Sequence, residues 1–137
     1  MNFAHFTVAY WCVLVVALLP IVCAGIAKSG MFSVPPEKGG YDNNNPRVWL
    51  ASQTDWRARA NAAQANTFEA LPFFFAAVII GHQLQAAQAL LDILAFMFVV
   101  LRLAYIVMYM ADMAKSRSAI WVAALGINVW ILFAGFR

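Results

Sequence analysis

The chain reads as an all-α integral membrane protein, a bundle of four helices that each cross the bilayer. Composition and pattern both predict this. Hydrophobic residues make up 64% of the 137 residues and charged residues only 11%. That is too little charge for a soluble surface, and more apolar surface than a soluble core of this length needs. The apolar residues also fall into four long runs divided by polar connections. The net charge of +3 is small and spread over those connections, which argues against nucleic acid as a partner.

The first run, from about residue 6 to 27, carries no charge and is long enough to cross a hydrocarbon core. It lacks a basic leader, its apolar stretch is too long for a signal peptide, and Val22 before Cys23 suits no lipoprotein cleavage box, so a span is the expectation. Pro20 is expected to kink it. Cys12 and Cys23 lie eleven residues apart on this helix, a rise of roughly 16 Å. No disulfide bridges that distance, and both are read as packing residues. With His5 and His82 as the only histidines, no metal-binding pattern exists.

Residues 28–56 change character: Pro35-Pro36, Gly39-Gly40 and Asn43 to Asn45 break any helix and predict a long extramembrane loop. Asn45-Pro46 is the expected start of the second helix, with Asn45 as cap and Pro46 in the first turn. That helix is expected to continue to about Gly81, with its membrane part at 58–81. The stretch from Ala70 to Gly81 is too short to span alone, so Arg59, Asn66 and Glu69 fall near one end of the span. Pro72 leaves the Phe68 carbonyl without its helical partner, so a bend beside Glu69 is expected. After the turn His82 to Gln88, a third span covers about 89–113. Asp112, Lys115, Ser116 and Arg117 mark the next turn, and a fourth span covers about 118–136 with only Asn128 polar in its middle.

Cations set the orientation. The long loop and the helix start after it hold Lys28, Lys38, Arg47, Arg57 and Arg59, and the third connection holds Lys115 and Arg117, while the second connection holds none. The positive-inside rule then places both termini outside the cytoplasm. Asn66 and Glu69 fall near the cytoplasmic start of the second span, and Tyr105 and Tyr109 near the cytoplasmic end of the third, at similar depth.

Arg59, Ala62, Asn66, Glu69 and Phe73 share one stripe of the second helix, and Arg102, Tyr105 and Tyr109 share one of the third, because residues three and four apart face the same way. A charged side chain in a bilayer costs at least a few kcal/mol and normally faces the bundle interior with a partner. One net acidic and one net basic face therefore predict a polar site between the helices, suited to a small zwitterion with amine, carboxylate and amide groups.

In the pattern Gln64-Ala65-Asn66-Thr67-Phe68-Glu69-Ala70-Leu71-Pro72, joined to Arg102-x-x-Tyr105-x-x-x-Tyr109, the chain resembles the membrane-associated proteins in eicosanoid and glutathione metabolism, the MAPEG family, in its bacterial type. The resemblance covers essentially the whole chain. It implies a homotrimer in a bacterial inner membrane, with glutathione as co-substrate held between neighbouring subunits near the cytoplasmic face, and no metal. By position, Asn66 and Glu69 match residues that hold the tripeptide, the glutamate suited to its γ-glutamyl amine. Tyr105 and Tyr109 match tyrosines that bond its backbone or carboxylates, and Arg102 matches a supporting buried arginine. Members of the family conjugate glutathione to lipophilic electrophiles, reduce lipid hydroperoxides or isomerise prostaglandin precursors.

Two positions depart from that family. A carboxylate-anchoring arginine four residues before the asparagine is Ala62 here, with Arg59 one turn earlier as its substitute. The arginine that stabilises the glutathione thiolate falls at Ser116, and a one-residue shift brings Arg117 into that catalytic role. Other readings of the same residues stand beside these. Glu69 and Arg102 form an interhelical ion pair in one. Tyr105 and Tyr109 are interfacial anchors in another. Trp49, Trp56, Trp121 and Trp130 read as belt or lipid-facing residues, and Asn128 as interhelical glue. In function, the alternatives are a non-catalytic module of the same fold that binds a lipid or a partner, and a small proton-coupled exporter.

Overall fold

The structure, a computed structural model, describes residues 6–136; His5 and Arg137 lie outside them. Helix α1 (Val8–Lys28) opens at Thr7, whose hydroxyl accepts from the Tyr10 amide. The Ala9 amide is satisfied from another helix: Asp92 Oδ1 accepts from it at 2.8 Å, and from the Gln88 side chain at 2.8 Å. Pro20 sits buried within the run of α1.

The connection that follows is folded. It holds a 3₁₀ turn (Pro36–Lys38) and a short helix, α2 (Pro46–Ala51). Trp49 is buried rather than lipid-facing: its indole N–H donates to the Gly39 carbonyl at 3.2 Å, and its ring meets Tyr41 edge-on. Trp49 and Leu50 pack with Ala27 and Ala60, docking the loop on the ends of two spans. Gly40 lies against the Val34 carbonyl so closely that a Cβ would overlap it.

The single helix expected from Pro46 to Gly81 is two. The chain leaves helical form between Ser52 and Asp55, and Asp55 caps α3 (Trp56–Gln83) by accepting from the Arg57 amide at 2.9 Å. An acceptor at that position satisfies one of the orphan N–H groups of a helix start. Asn45 does not cap α2; its Nδ2 donates to Asp42 Oδ2 at 3.0 Å.

Helices α4 (Gln88–Met110) and α5 (Ala114–Phe133) complete the bundle. The third span ends at Met110 rather than near 113. Asp112 adopts the left-handed conformation (φ 60°) and the Met113 amide closes on the Met108 carbonyl at 3.0 Å, the six-to-one bond of a helix-terminating turn. Gln85 (φ 54°), with Ala86 N–H on Gly81 O, performs the same reversal between α3 and α4. The early reversal lets α5 begin at Ala114.

Helices α1, α3, α4 and α5 are each long and apolar enough to cross a membrane, and the chain is a multi-pass integral membrane protein built as a four-helix bundle. The pair α3–α4 is central, with α1 packed on both and α5 packed on both. Phe74 of α3 stacks on Phe98 of α4 at 4.2 Å, amid Ala9, Ala77, Ala95 and Ala124. Small residues matter here because association in lipid rests on close packing rather than on expulsion of water. Gly81 shows the limit: a Cβ there would stand 2.8 Å from Leu91 Cδ2 and 3.3 Å from the Ile131 carbonyl. Large apolar side chains on α1 and α5, among them Trp11, Ile21, Trp130 and Phe133, point outward.

Candidate functional site

Three buried polar side chains stand out among the described residues of this apolar bundle: Thr67, Arg102 and Asn128. They come from α3, α4 and α5. Arg102 is 1% exposed. Its Nη2 donates to Asn66 Oδ1 at 3.1 Å and to Thr67 Oγ1 at 2.9 Å, and its guanidinium lies 4.4 Å from the Tyr105 ring centroid. Thr67 in turn donates to the Ala63 carbonyl one turn back at 2.7 Å, so its lone pairs are left to face the arginine. Neutral acceptors and a π-face thus hold the buried cation.

Glu69 is not its partner. Among the described residues the one ion pair within 4.0 Å joins Arg57 and Asp55. The Glu69 carboxylate is reached by the Asn66 amide at 3.4 Å, a long bond, and lies on an exposed part of α3. Asn66 therefore stands between the two charges, accepting from one and donating to the other.

Two voids adjoin this cluster and share Asn66 and Trp121. One, about 290 Å³, lies toward the helix ends and is lined by Asn66, Tyr105, Tyr109, Arg117, Ser118, Trp121 and Val122. The other, about 220 Å³, lies between α3, α4 and α5 and is lined by Asn66, Glu69, Ala70, Phe73, Phe98, Arg102, Trp121, Ala124, Leu125 and Asn128. Tyr105 and Tyr109 meet edge-on at 5.7 Å, and the Arg117 guanidinium lies over the Tyr109 ring at 4.2 Å. Tyr105 is 4% exposed, so it is not an interfacial anchor.

Of the residues singled out from the sequence, Asn66, Glu69, Arg102, Tyr105, Tyr109 and Arg117 all line one or both voids. Arg59 does not. Its Nε donates to the Met110 carbonyl at 3.0 Å, where a cation satisfies the last turn of α4 and complements its dipole. Ser116 is absent from both linings, whereas Arg117 and Ser118 are present.

Sequence reasoning missed three contributors. Thr67 carried a faint signal, standing next to Asn66 on a helix already identified as polar-faced. Trp121 read as a belt residue but walls both voids. Asn128 read as glue, yet its Oδ1 is buried with no hydrogen-bond partner. No cluster of metal-ligating side chains occurs among the described residues.

No match was found among curated proteins or solved structures. The model of the MAPEG family matches residues 8–137, nearly the full length. With four spanning helices and two adjoining voids that share Asn66 in place, the chain belongs to the MAPEG family.

Proposed function

We propose that the protein is a glutathione-dependent membrane enzyme, conjugating glutathione to lipophilic electrophiles or using it to reduce lipid hydroperoxides. The observation that carries this reading is unbalanced positive charge. Arg102 and Arg117 both line the voids, and neither has a carboxylate within 4.0 Å among the described residues. A cation embedded in a bilayer bundle favours a bound anion. Glutathione is a net anion with two carboxylates, an amine suited to Glu69, and peptide groups suited to Asn66, Tyr105 and Tyr109.

Arg117 is the group we assign to the thiol. A thiolate is the nucleophile, and a neighbouring guanidinium lowers the thiol pKa by favouring the charged form. Lipophilic substrate enters sideways from the membrane lipid. The exposed position of Glu69 within a span favours a neighbouring subunit covering it, in keeping with a homotrimer. The site lies at the end of the bundle that carries the cationic loop, since Arg57 and Arg59 reach Ser29 and Met110 there. The positive-inside rule makes that end cytoplasmic, and the bacterial inner membrane is proposed on the family resemblance alone.

One observation favours a second reading, a non-catalytic module that binds a lipid or partner: Arg59 is engaged at the end of α4, and Ala62 offers no charge in its place. The test is direct. Detergent-purified protein mixed with glutathione develops thiolate absorbance and conjugates a chlorodinitrobenzene under the enzyme reading. Protein that stays folded and does neither contradicts it.

A further inference from the structure

Away from the two voids, a pair of cations and an exposed ring gather where α1 meets the loop. Lys28, the last residue of α1, is partly exposed, and its ammonium lies 4.6 Å from the Tyr41 ring centroid. Arg57, in the first turn of α3, holds its guanidinium 4.2 Å from the Trp56 ring centroid. Its Nη2 donates at 2.9 Å to the carbonyl of Ser29, the residue after Lys28. Two positive charges therefore converge on one helix end, each resting on an aromatic face. Among the described residues a single carboxylate comes within 4.0 Å of either, Asp55 at 3.9 Å from Arg57. Of the other acids in the loop, Asp42 is engaged by Asn44 and Asn45, and Glu37 stands next to Lys38 in the 3₁₀ turn.

The chain turns back at this point. The Met31 amide closes on the Lys28 carbonyl at 3.1 Å, and the Tyr41 amide on the Met31 carbonyl at 3.0 Å, which keeps Phe32 beside the end of the span. Phe32 meets Tyr41 edge-on at 5.3 Å, yet is 68% exposed. The polar layer outside the hydrocarbon core is roughly 5–7 Å thick on each side. Lys28 and Phe32 fall in that layer, where aromatic rings and cations settle.

We infer that Lys28, Phe32 and Arg57 form a binding site for the headgroup of an anionic phospholipid, drawn from the leaflet that meets the loop. Lys28 contacts the phosphodiester. Arg57, whose side chain is only 15% exposed, adds its field from behind, and Phe32 lies along the glycerol and upper acyl chains. A zwitterionic headgroup carries its own cation and gains little from two more, whereas a net-negative one gains from both. Ring contacts already hold both side chains, so little freedom is lost on binding. None of the three residues lines either void, and the inference stands apart from the glutathione reading.

The experiment titrates phosphatidylglycerol or phosphatidylcholine of the same acyl chains into detergent-purified protein and follows the midpoint of thermal unfolding. Phosphatidylglycerol is expected to reach half its effect at about thirty-fold lower concentration, from ~1 kcal/mol for each of two cations. Lys28→Gln is expected to weaken its effect about five-fold, the share of one cation, and Lys28→Arg to restore it. Lys115→Gln, at an exposed cation in the first turn of α5, is expected to change nothing. Phe32→Ser removes an exposed ring, so it is expected to fold and to weaken both lipids alike. Equal potency of the two lipids overturns the inference. So does a Lys115→Gln loss as large as that of Lys28→Gln, which would show a diffuse field rather than a site. Inorganic phosphate that reproduces the shift contradicts a lipid source, and a change of oligomeric mass in Lys28→Gln without a change in lipid response assigns the face to a second copy instead.

Discussion

Arg102 bonds to Asn66 at 3.1 Å, and Asn66, not Arg102, reaches Glu69. An arginine and a glutamate in one membrane bundle would ordinarily neutralise each other. Here an amide is interposed, so the carboxylate stays available on one side and the guanidinium on the other. A pair left apart in this way is positioned for a ligand that carries both signs of charge.

Thr67→Val tests how the buried cation is held. The change keeps shape and removes one acceptor of a charge-assisted bond 2.9 Å long. The expected loss of stability is about 2 kcal/mol, read as a lowered midpoint of thermal unfolding in detergent. A double-mutant cycle with Arg102→Met is expected to show coupling of at least about 1 kcal/mol, since the two side chains touch.

Arg117→Ala tests the thiolate assignment. Removing a guanidinium beside the bound thiol is expected to raise its pKa by about one unit or more, so the rising limb of the pH–rate profile for conjugation moves to higher pH. Ser116→Ala is expected to leave that limb in place. If Ser116 and not Arg117 moves it, the one-residue shift relative to the family pattern is wrong.

Asp112→Gly tests the reversal that sets up α5. A non-glycine residue in the left-handed region, φ 60°, carries a cost of about 1 kcal/mol that glycine avoids. The variant is expected to be more stable by up to that amount, measured by thermal unfolding.

Asn45→Ala tests the loop. The Asn45 side chain, and after it the Asn44 amide, hold the Asp42 carboxyl below the usual carboxylate range by hydrogen-bonding its charged form. A depressed folded-state pKa adds stability above the unfolded pKa of about 3.9, and that stability is lost as pH falls through the folded value. The variant is expected to raise the Asp42 pKa in an NMR titration, with the loop loosening at higher pH than in wild type.

Much of this was legible in the residues. Long apolar runs announced the spans, those at about 6–27 and 118–136 without any charge, since crossing a hydrocarbon core takes about twenty predominantly apolar residues. The three- and four-residue spacings put Asn66 with Glu69 and Arg102 with Tyr105 and Tyr109. What stayed hidden was tertiary. The break at Ser52–Asp55 sits in a stretch that a continuous helix would accommodate, and only the docking of Trp49 and Leu50 against Ala27 and Ala60 explains it. Arg59 shares the stripe of Asn66, yet the nearby end of α4 offers its guanidinium a carbonyl. Asn128 looked like glue because sequence cannot show that no partner stands opposite.

Calorimetric titration of glutathione into detergent-solubilised wild type and Glu69→Gln tests the central claim most directly. The carboxylate receives a single long hydrogen bond, so its isosteric neutralisation is expected to leave the unfolding midpoint nearly unchanged. Wild type is expected to bind at or below millimolar concentration, and the variant at least about ten-fold more weakly for the loss of a charge-assisted bond to the amine. Equal affinities, or no heat from wild type at millimolar glutathione, would contradict the account.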